Sequence, residues 1–338
     1  MTRGICLLLI GSVVACDVVG NDDGTAITVR NDENNGIALN TARLNGWNLN
    51  GMRMNGTALN GMRMNGWNLN GWNLNGISLV GSSFSATHDV DGTPVPVSGD
   101  DLIGSVLTLE GGGTTFVLRF DDIYLDPADP NGDVWFYDIA VQDNETSQWS
   151  SLCNDHNGQP TQAIAIANWW NPTTGARVDD PTAVTFACRD AVLAKCVEWG
   201  YRPWATVGGV GLADHHQTCT RLARADYCGD GTPHTFTGTP IDVFDALSPA
   251  IQSPATLERQ SWGIEAEWGP NGAVCIGDQL RLKMYDDNGV PYEFPGCFDA
   301  LDDISGCGDF DSSRGALLAD RYCDVWESDP GACAAAIH

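Results

Sequence analysis

RADYCGDGTPHT, residues 224–235, gathers an arginine, two aspartates, a tyrosine, a cysteine and a histidine in twelve positions. A carboxylate beside an imidazole is the pairing that moves protons in general acid–base chemistry. Asp226 and His234 are therefore the first candidates, with His215 and His216 from the preceding LADHHQTCTRLARADYC as the others. A continuous helix would hold His215 and Asp226 ~16 Å apart, so such a set requires His234 to fold back from the loop toward Asp226. The bland reading of the same stretch is a helix end. The helix would finish at Cys228, with Gly229 as a left-handed cap and Asp230-Gly231-Thr-Pro233 turning the chain. Helix end is the first reading and catalytic loop the second. Asp226 fits the bland reading least, because a carboxylate in a last turn faces the negative end of the helix dipole. The residues three and four positions earlier are Ala223 and Leu222, so its partner is expected from elsewhere: Arg189, Lys195, Arg202 or a bound cation.

Metal chemistry has weaker support. His215 and Cys219 have the i, i+4 spacing of two ligands on one helix face, but oxidation of Cys219 would abolish that pair. Asp129-Pro-Asn131-Gly-Asp133 resembles the start of a calcium loop, yet position twelve is Ala140 where a Glu is required, and the stretch reads better as a turn before a strand at Asp133–Asp143. No cofactor is expected, and calcium is the one metal with any motif behind it. Gly-x-Ser-x-Gly, His-Glu-x-x-His and phosphate-loop patterns do not occur. Trp169-Trp170 and Trp199-Gly-Tyr201-Arg-Pro-Trp204 would suit a platform for sugars, although core packing is the stronger reading.

The elements around these residues follow from composition and pattern. The chain has 338 residues, 43% hydrophobic and 18% charged, enough for a packed core. Its net charge is -27, from 44 acidic and 17 basic residues, and no basic stripe offsets it, so nucleic acid is not an expected partner. The opening MTRGICLLLIGSVVACDVVG has the charge, apolar and small-residue order of a secretory signal and is too short to span a membrane. Val13-Val14-Ala15-Cys16 resembles a bacterial lipobox, which makes Cys16 the lipidation site and the membrane a partner through its acyl chains. An ordinary signal with an incidental cysteine is the alternative. Ten of the 12 cysteines lie beyond that point: Cys153, Cys188, Cys196, Cys219, Cys228, Cys275, Cys297, Cys307, Cys323 and Cys333. An even set in an exported chain suggests up to five disulfides, with connectivity left open among about 945 pairings.

Residues 35–86 repeat. A large apolar residue recurs every five positions from Leu39 to Phe84, usually followed by Asn-Gly, and Trp47/Trp67 and Arg43/Arg63 repeat at twenty. The pattern resembles the pentapeptide-repeat family, whose chains coil into a right-handed β-helix. Trp47, Met52, Met62, Trp67 and Trp72 depart from it, being bulky where that family places a small residue. Downstream, DLIGSVLTLEGG, TTFVLRFDDIYL, DVWFYDIAVQD and TQAIAIANWW alternate as strands. Cys188, Val192, Cys196 and Trp199 fall at helical spacing, and the His215 stretch reads as a second helix. Cys188 and Cys196, ~12 Å apart on one helix, would each bond elsewhere, as would Cys219 and Cys228. GIEAEWGPNGAVC and QLRLKMYDDNGVPYEF read as hairpins.

TFACR, KCVEWGYRPW and RADYCGDGTPHTFTGTPIDVFD together resemble the ADYC-domain family of exported bacterial proteins, over roughly residues 87–300. The resemblance implies an exported, cysteine-rich relative and no mechanism. The expected class is α+β: a disulfide-rich domain with an antiparallel sheet and about two stapled helices, preceded by a short pentapeptide-repeat, β-helix-like segment. The expected division is a lipoprotein signal (1–15), a lipidated tether (16–36), the repeat segment (37–86), the cysteine-rich domain (87–300) and a disulfide-tethered tail (301–338). The expected function is a membrane-anchored, extracytoplasmic module in the cell envelope that binds an envelope protein or a carbohydrate. The alternatives are an exported hydrolase using His234 and Asp226 with His215 or His216, and a structural envelope spacer.

Overall fold

The computed structural model describes residues 62–69, 72–111, 114–144, 146–155, 158–180, 183–189, 191–235, 241–253, 262–277, 280–281, 296–302, 307 and 310–322. Cys16, Cys323, Cys333, the tether, the first repeats and the expected hairpin after Arg281 lie outside these residues. The strands of the first sheet are β1 (Met62–Leu69), β2 (Trp72–Val80), β3 (Ser83–Val90), β4 (Thr93–Ser98), β5 (Val106–Gly111), β6 (Thr114–Leu125), β7 (Trp135–Gln142), β8 (Trp149–Ser151) and β9 (Ala163–Ala167). After the short pair β10 (Trp169–Trp170) and β11 (Arg177–Val178), β12 (Ala183–Cys188) returns to that sheet. Its order is β12-β9-β7-β6-β5-β1-β2-β3-β4, with β8 on β7, and β1 also pairs β12. Six strands thus close into an antiparallel ring, which removes the exposed edges an open sheet would leave.

Local sequence explains the turns. Val90 faces Thr93 across Asp91-Gly92, both with positive φ (53° and 81°), the primed hairpin turn that suits the strand twist. Val80 likewise faces Ser83 across Gly81-Ser82. Inside the ring, Phe84, Phe120, Tyr137 and Phe186 pack with centroids 5.7 to 6.5 Å apart. The Tyr137 hydroxyl donates to the Ser82 carbonyl at 2.7 Å, satisfying its polar tip in an apolar interior.

The second half adds α1 (Val192–Glu198), the hairpin β13 (Thr206–Val207) and β14 (Val210–Gly211), and α2 (Ala213–Arg224). Then follow β15 (Ile241–Asp245), β16 (Ile264–Gly269), β17 (Gly272–Ile276), the short α3 (Phe298–Asp302) and β18 (Leu318–Tyr322). β15, β18, β16 and β17 form a four-stranded antiparallel sheet in that order. A second core joins the outer side of the ring (Phe136, Ile164, Ile166, Ala187) to both helices and to Ala266, Trp268 and Leu318 of this sheet. Four disulfides link Cys153–Cys188, Cys196–Cys219, Cys228–Cys297 and Cys275–Cys307. The architecture is mostly antiparallel sheet with few helices.

Two expectations are corrected here. Over residues 62–69 and 72–86 the repeats form antiparallel strands, with Asn68 opposite Asn73 and Leu79 opposite Phe84, where a β-helix would stack parallel coils. Bulky Trp67 and Trp72 occupy sequence positions where a narrow coil needs small residues, and the Gly81-Ser82 pair suits a hairpin turn. Cys188 ends a strand and bonds Cys153; the helix begins only at Val192. β12 is buried at all six positions, between the ring core and the helices, so it lacks the alternation that marks a strand. Cys196 and Cys219, by contrast, each bond outside their own helix as expected, and they bond each other, stapling α1 to α2.

Candidate functional site

The ADYC tetrapeptide is built from the end of α2 upward. The helix stops at Arg224, and Ala225 takes the left-handed conformation at φ 50°, four residues before the expected stop at Cys228. The Asp226 amide then donates back to the Arg221 carbonyl at 2.9 Å. This closure returns Asp226 beneath the helix, where its carboxylate meets the Arg221 guanidinium. The expected partners, Arg189, Lys195, Arg202 or a cation, thus give way to Arg221 of the same helix; a residue five positions back is reachable only because the helix has already ended. Arg221 also donates to the Thr174 carbonyl at 2.6 Å and the Pro270 carbonyl at 3.2 Å. The Gly231 amide donates to Asp226 at 3.0 Å, and the Arg224 guanidinium donates to the Gly231 carbonyl. Burial pushes the Asp226 carboxyl upward against the pull of Arg221.

Each remaining position of the tetrapeptide is equally occupied. Tyr227 stacks on Trp268 (5.2 Å) and donates its hydroxyl to Glu265. Glu265 and Asp320 hold Arg281 at 2.7 and 3.1 Å, and all three side chains are fully buried. Arg281 also donates to the Leu222 carbonyl at 2.7 Å, and Trp268 donates its indole N–H to Asp320 at 2.7 Å. Burial, reinforced by neighbouring Glu265, holds the Asp320 carboxyl and the Tyr227 phenol well above their usual ranges. Cys228 bonds Cys297 beside α3. A Cβ on Gly229 would lie 1.7 Å from the Asn271 carbonyl oxygen, so only glycine permits this approach of the loop to the β16–β17 turn.

The histidines fall at the two ends of α2. His216 is fully buried, its Nε2 3.0 Å from the Leu193 carbonyl and its ring 5.5 Å from Trp170. Burial lowers it to about 4. His215 stacks on Tyr201 at 6.4 Å and is lowered by burial against the opposing charges of Asp245 and Asp214. His234 lies past the other end, 5.8 Å from Tyr227, and its amide donates to the Arg224 carbonyl at 3.0 Å. Burial lowers it too, with Asp226 and Asp230 pulling the other way. The loop thus folds His234 back to the Asp226 end of α2, while His215 and His216 sit in its first turn. With Cys219 in a disulfide, the His215/Cys219 ligand pair does not exist in this oxidised state.

In the loop that resembles a calcium site, Asp129 accepts from the amides of Asn131, Asp133 and Val134 at 2.7–2.9 Å. Arg202 sits between the carboxylates of Asp129 and Asp133, and Trp204 donates to Asp133 at 2.8 Å. Burial pulls Asp129 upward, but the three amides and Arg202 outweigh it and hold the carboxyl at about 2. The aromatic stretches serve the interior: Trp170 is fully buried with its N–H on Gln217, and Tyr201 donates to Asp245.

An open groove of about 410 Å³ lies on the outer face of β6, β7 and β8. Arg119 rests over the Trp149 ring at 4.6 Å and pairs with Asp121, and Asp138 and Gln162 also line the groove. Burial raises the Asp138 carboxyl, with Asp122 and Asp121 adding to it and Gln162 opposing. The Ser150 hydroxyl, also in the lining, is buried and has no hydrogen-bond partner among the described residues. Sequence reading passed over this groove. Arg119 and Asp121 alternate in LRFDD as a solvated strand face would, and nothing local reports that Trp149 covers it.

A closed antiparallel ring, packed through one apolar core and two disulfide-linked helices onto a smaller sheet, defines a stapled β domain with its chemistry-bearing motif inside. The family model of the ADYC domain matches residues 99–282, more than half of the chain, and the chain belongs to that family. No curated protein and no solved structure matches it.

Proposed function

We propose that this is a lipid-anchored, extracytoplasmic binding module of the cell envelope, whose ligand is a carbohydrate seated in the β6–β7–β8 groove. The observation that carries the reading is the groove itself: an indole with a guanidinium over it, two carboxylates, an amide and a hydroxyl without a partner among the described residues, around one open concavity. Polar groups placed around an aromatic body suit a ligand that offers hydroxyls and an apolar ring face. The catalytic alternative finds less support, because Asp226 is fully buried and engaged by Arg221. Four disulfides fit an oxidising compartment, and the Val13-Val14-Ala15-Cys16 lipobox supports the anchor. Calorimetric titration with envelope glycans is the test of the ligand. Trp149→Ala and Asp138→Asn are expected to weaken a binding glycan at least tenfold without changing the fold, and unaltered affinity in both would end the groove reading. Metabolic labelling with an alkyne fatty acid tests the anchor: Cys16→Ser abolishes incorporation if Cys16 is the acylated residue.

A further inference from the structure

Glu267 of β16 stands directly opposite Cys275 of β17, and Cys275 is bonded to Cys307. A Glu267 carboxylate oxygen and the two sulfurs lie within 4.8 Å of one another. Among the described residues, no other disulfide gathers a carboxylate or imidazole in this way. Glu267 is fully buried. Its Oε1 accepts from the Asp311 amide (3.1 Å) and Arg314 (2.9 Å), whereas Oε2 is buried with no hydrogen-bond partner among the described residues. The same Arg314 nitrogen lies 3.5 Å from the Cys275 sulfur. Cys275 is fully buried and Cys307 half-buried, so an incoming thiol reaches Cys307 more readily. An unpartnered buried carboxylate oxygen is costly, and a plain staple gains nothing from it.

We propose that Cys275–Cys307 is an exchangeable disulfide, a thiol–disulfide exchange site in which Glu267 transfers the proton and Arg314 stabilises the Cys275 thiolate. The co-reactant is a dithiol, either a protein with two neighbouring cysteines or a small-molecule dithiol. One of its thiolates attacks the Cys307 sulfur, forming a mixed disulfide while the Cys275–Cys307 bond breaks and its electron pair leaves on Cys275. That thiolate faces Arg314 and takes a proton from the Glu267 carboxyl. The second dithiol sulfur then attacks the mixed disulfide, closing the dithiol's own disulfide and releasing Cys307. Two electrons and two protons have passed from the dithiol to the two cysteines, and Glu267 recovers its proton from the oxidised partner's side through solvent. Reoxidation is the reverse. Burial raises the Glu267 carboxyl, against the Asp311 amide and Arg314 and with the Asp311 carboxylate adding, which brings it nearer the thiol range. The proposal is independent of the groove and its ligand.

The test uses the oxidised full-length protein in detergent, equilibrated with graded dithiothreitol, alkylated and quantified cysteine by cysteine by mass spectrometry. Cys275–Cys307 is expected to open at roughly tenfold less reductant than the other three bonds, with the β-sheet circular dichroism intact. Glu267→Gln is expected to slow its exchange severalfold and flatten the pH profile of the rate. Opening together with or after the other disulfides, or a Glu267→Gln profile superimposable on the wild type, would overturn the proposal. Should Glu267→Gln not fold, Arg314→Gln at the rim supplies a second reading: a rate that falls most at higher pH, where Glu267 is ionised and Arg314 alone stabilises the departing thiolate, supports it, and an unchanged rate overturns it.

Discussion

Arg281 ties together the end of α2, β16 and β18 through one guanidinium, touching the Leu222 carbonyl, Glu265 and Asp320. Two carboxylates share this one cation in a site without water-facing surface, so part of their charge is relieved by holding Asp320 neutral. Removing the cation leaves two buried acids and an orphaned carbonyl. Arg281→Met is therefore expected to cost about 3–5 kcal/mol, read as a lowered urea midpoint, despite the good fit of methionine to an apolar pocket. Asp226 differs in degree: with Arg221 it forms a single pair, and Arg221 keeps two carbonyl partners when the acid is lost. Asp226→Asn should be milder than Arg281→Met in the same titration. The letters that make RADYC distinctive in sequence thus describe how a helix is stopped and fastened.

At the scale of elements, the loop from Asp126 to Val134 shows how one side chain can replace an ion. Arg202 reaches from the segment after α1 to sit between Asp129 and Asp133, where a divalent cation would otherwise bridge them. Calcium up to millimolar levels is accordingly expected to leave the melting temperature of the wild type unchanged. Arg202→Ala, which exposes two facing carboxylates, should melt lower and regain part of the loss on adding calcium. A calcium-stabilised wild type would contradict this. The residues involved also mark what the sequence made legible. The turn at Asp129–Asp133, the strands β5, β6, β7 and β9 and the hairpin β16–β17 follow from period and turn chemistry that act within a few residues. The partner of Asp129 is 73 positions away, and Asp320, which shares Arg281 with Glu265, belongs to a strand in a tail whose sequence suggests only a disulfide tether. Glu265 and Glu267 alternate as a solvated face would, yet both are fully buried, because the α2 end and its loop cover one and the Asp311–Arg314 segment contacts the other. β12 lost its alternation to burial on both faces. Such long-range covering leaves no mark in local pattern.

The whole molecule couples these sites to pH through groups that pull in opposite directions. His215, His216 and His234 are all depressed by burial, so each prefers to be neutral in the folded chain. Their contribution is present above the unfolded histidine value and is lost as pH falls. For His216 the window runs from 6.5 down to about 4. At about 1.4 kcal/mol per pH unit, that shift amounts to about 3 kcal/mol. The raised carboxyls of Asp138, Glu198, Asp226, Glu267 and Asp320 act with the other sign. They take up protons in the folded state more readily than when unfolded, so their contribution is present at low pH and lost as pH rises through their folded values. The two sets oppose each other below neutrality, and the wild-type slope alone would hide both. A difference measurement separates them. His216→Gln keeps an N–H that can reach the Leu193 carbonyl but cannot charge, so it removes only the histidine term. The stability gap between His216→Gln and the wild type, measured by urea titration at pH 8 and again at pH 4.5, is expected to move by about 2–3 kcal/mol in favour of the variant as pH falls. A gap that stays constant would mean His216 is not held neutral, and the buried face between α1, α2 and Trp170 would have to admit water or an anion that the packing leaves no room for.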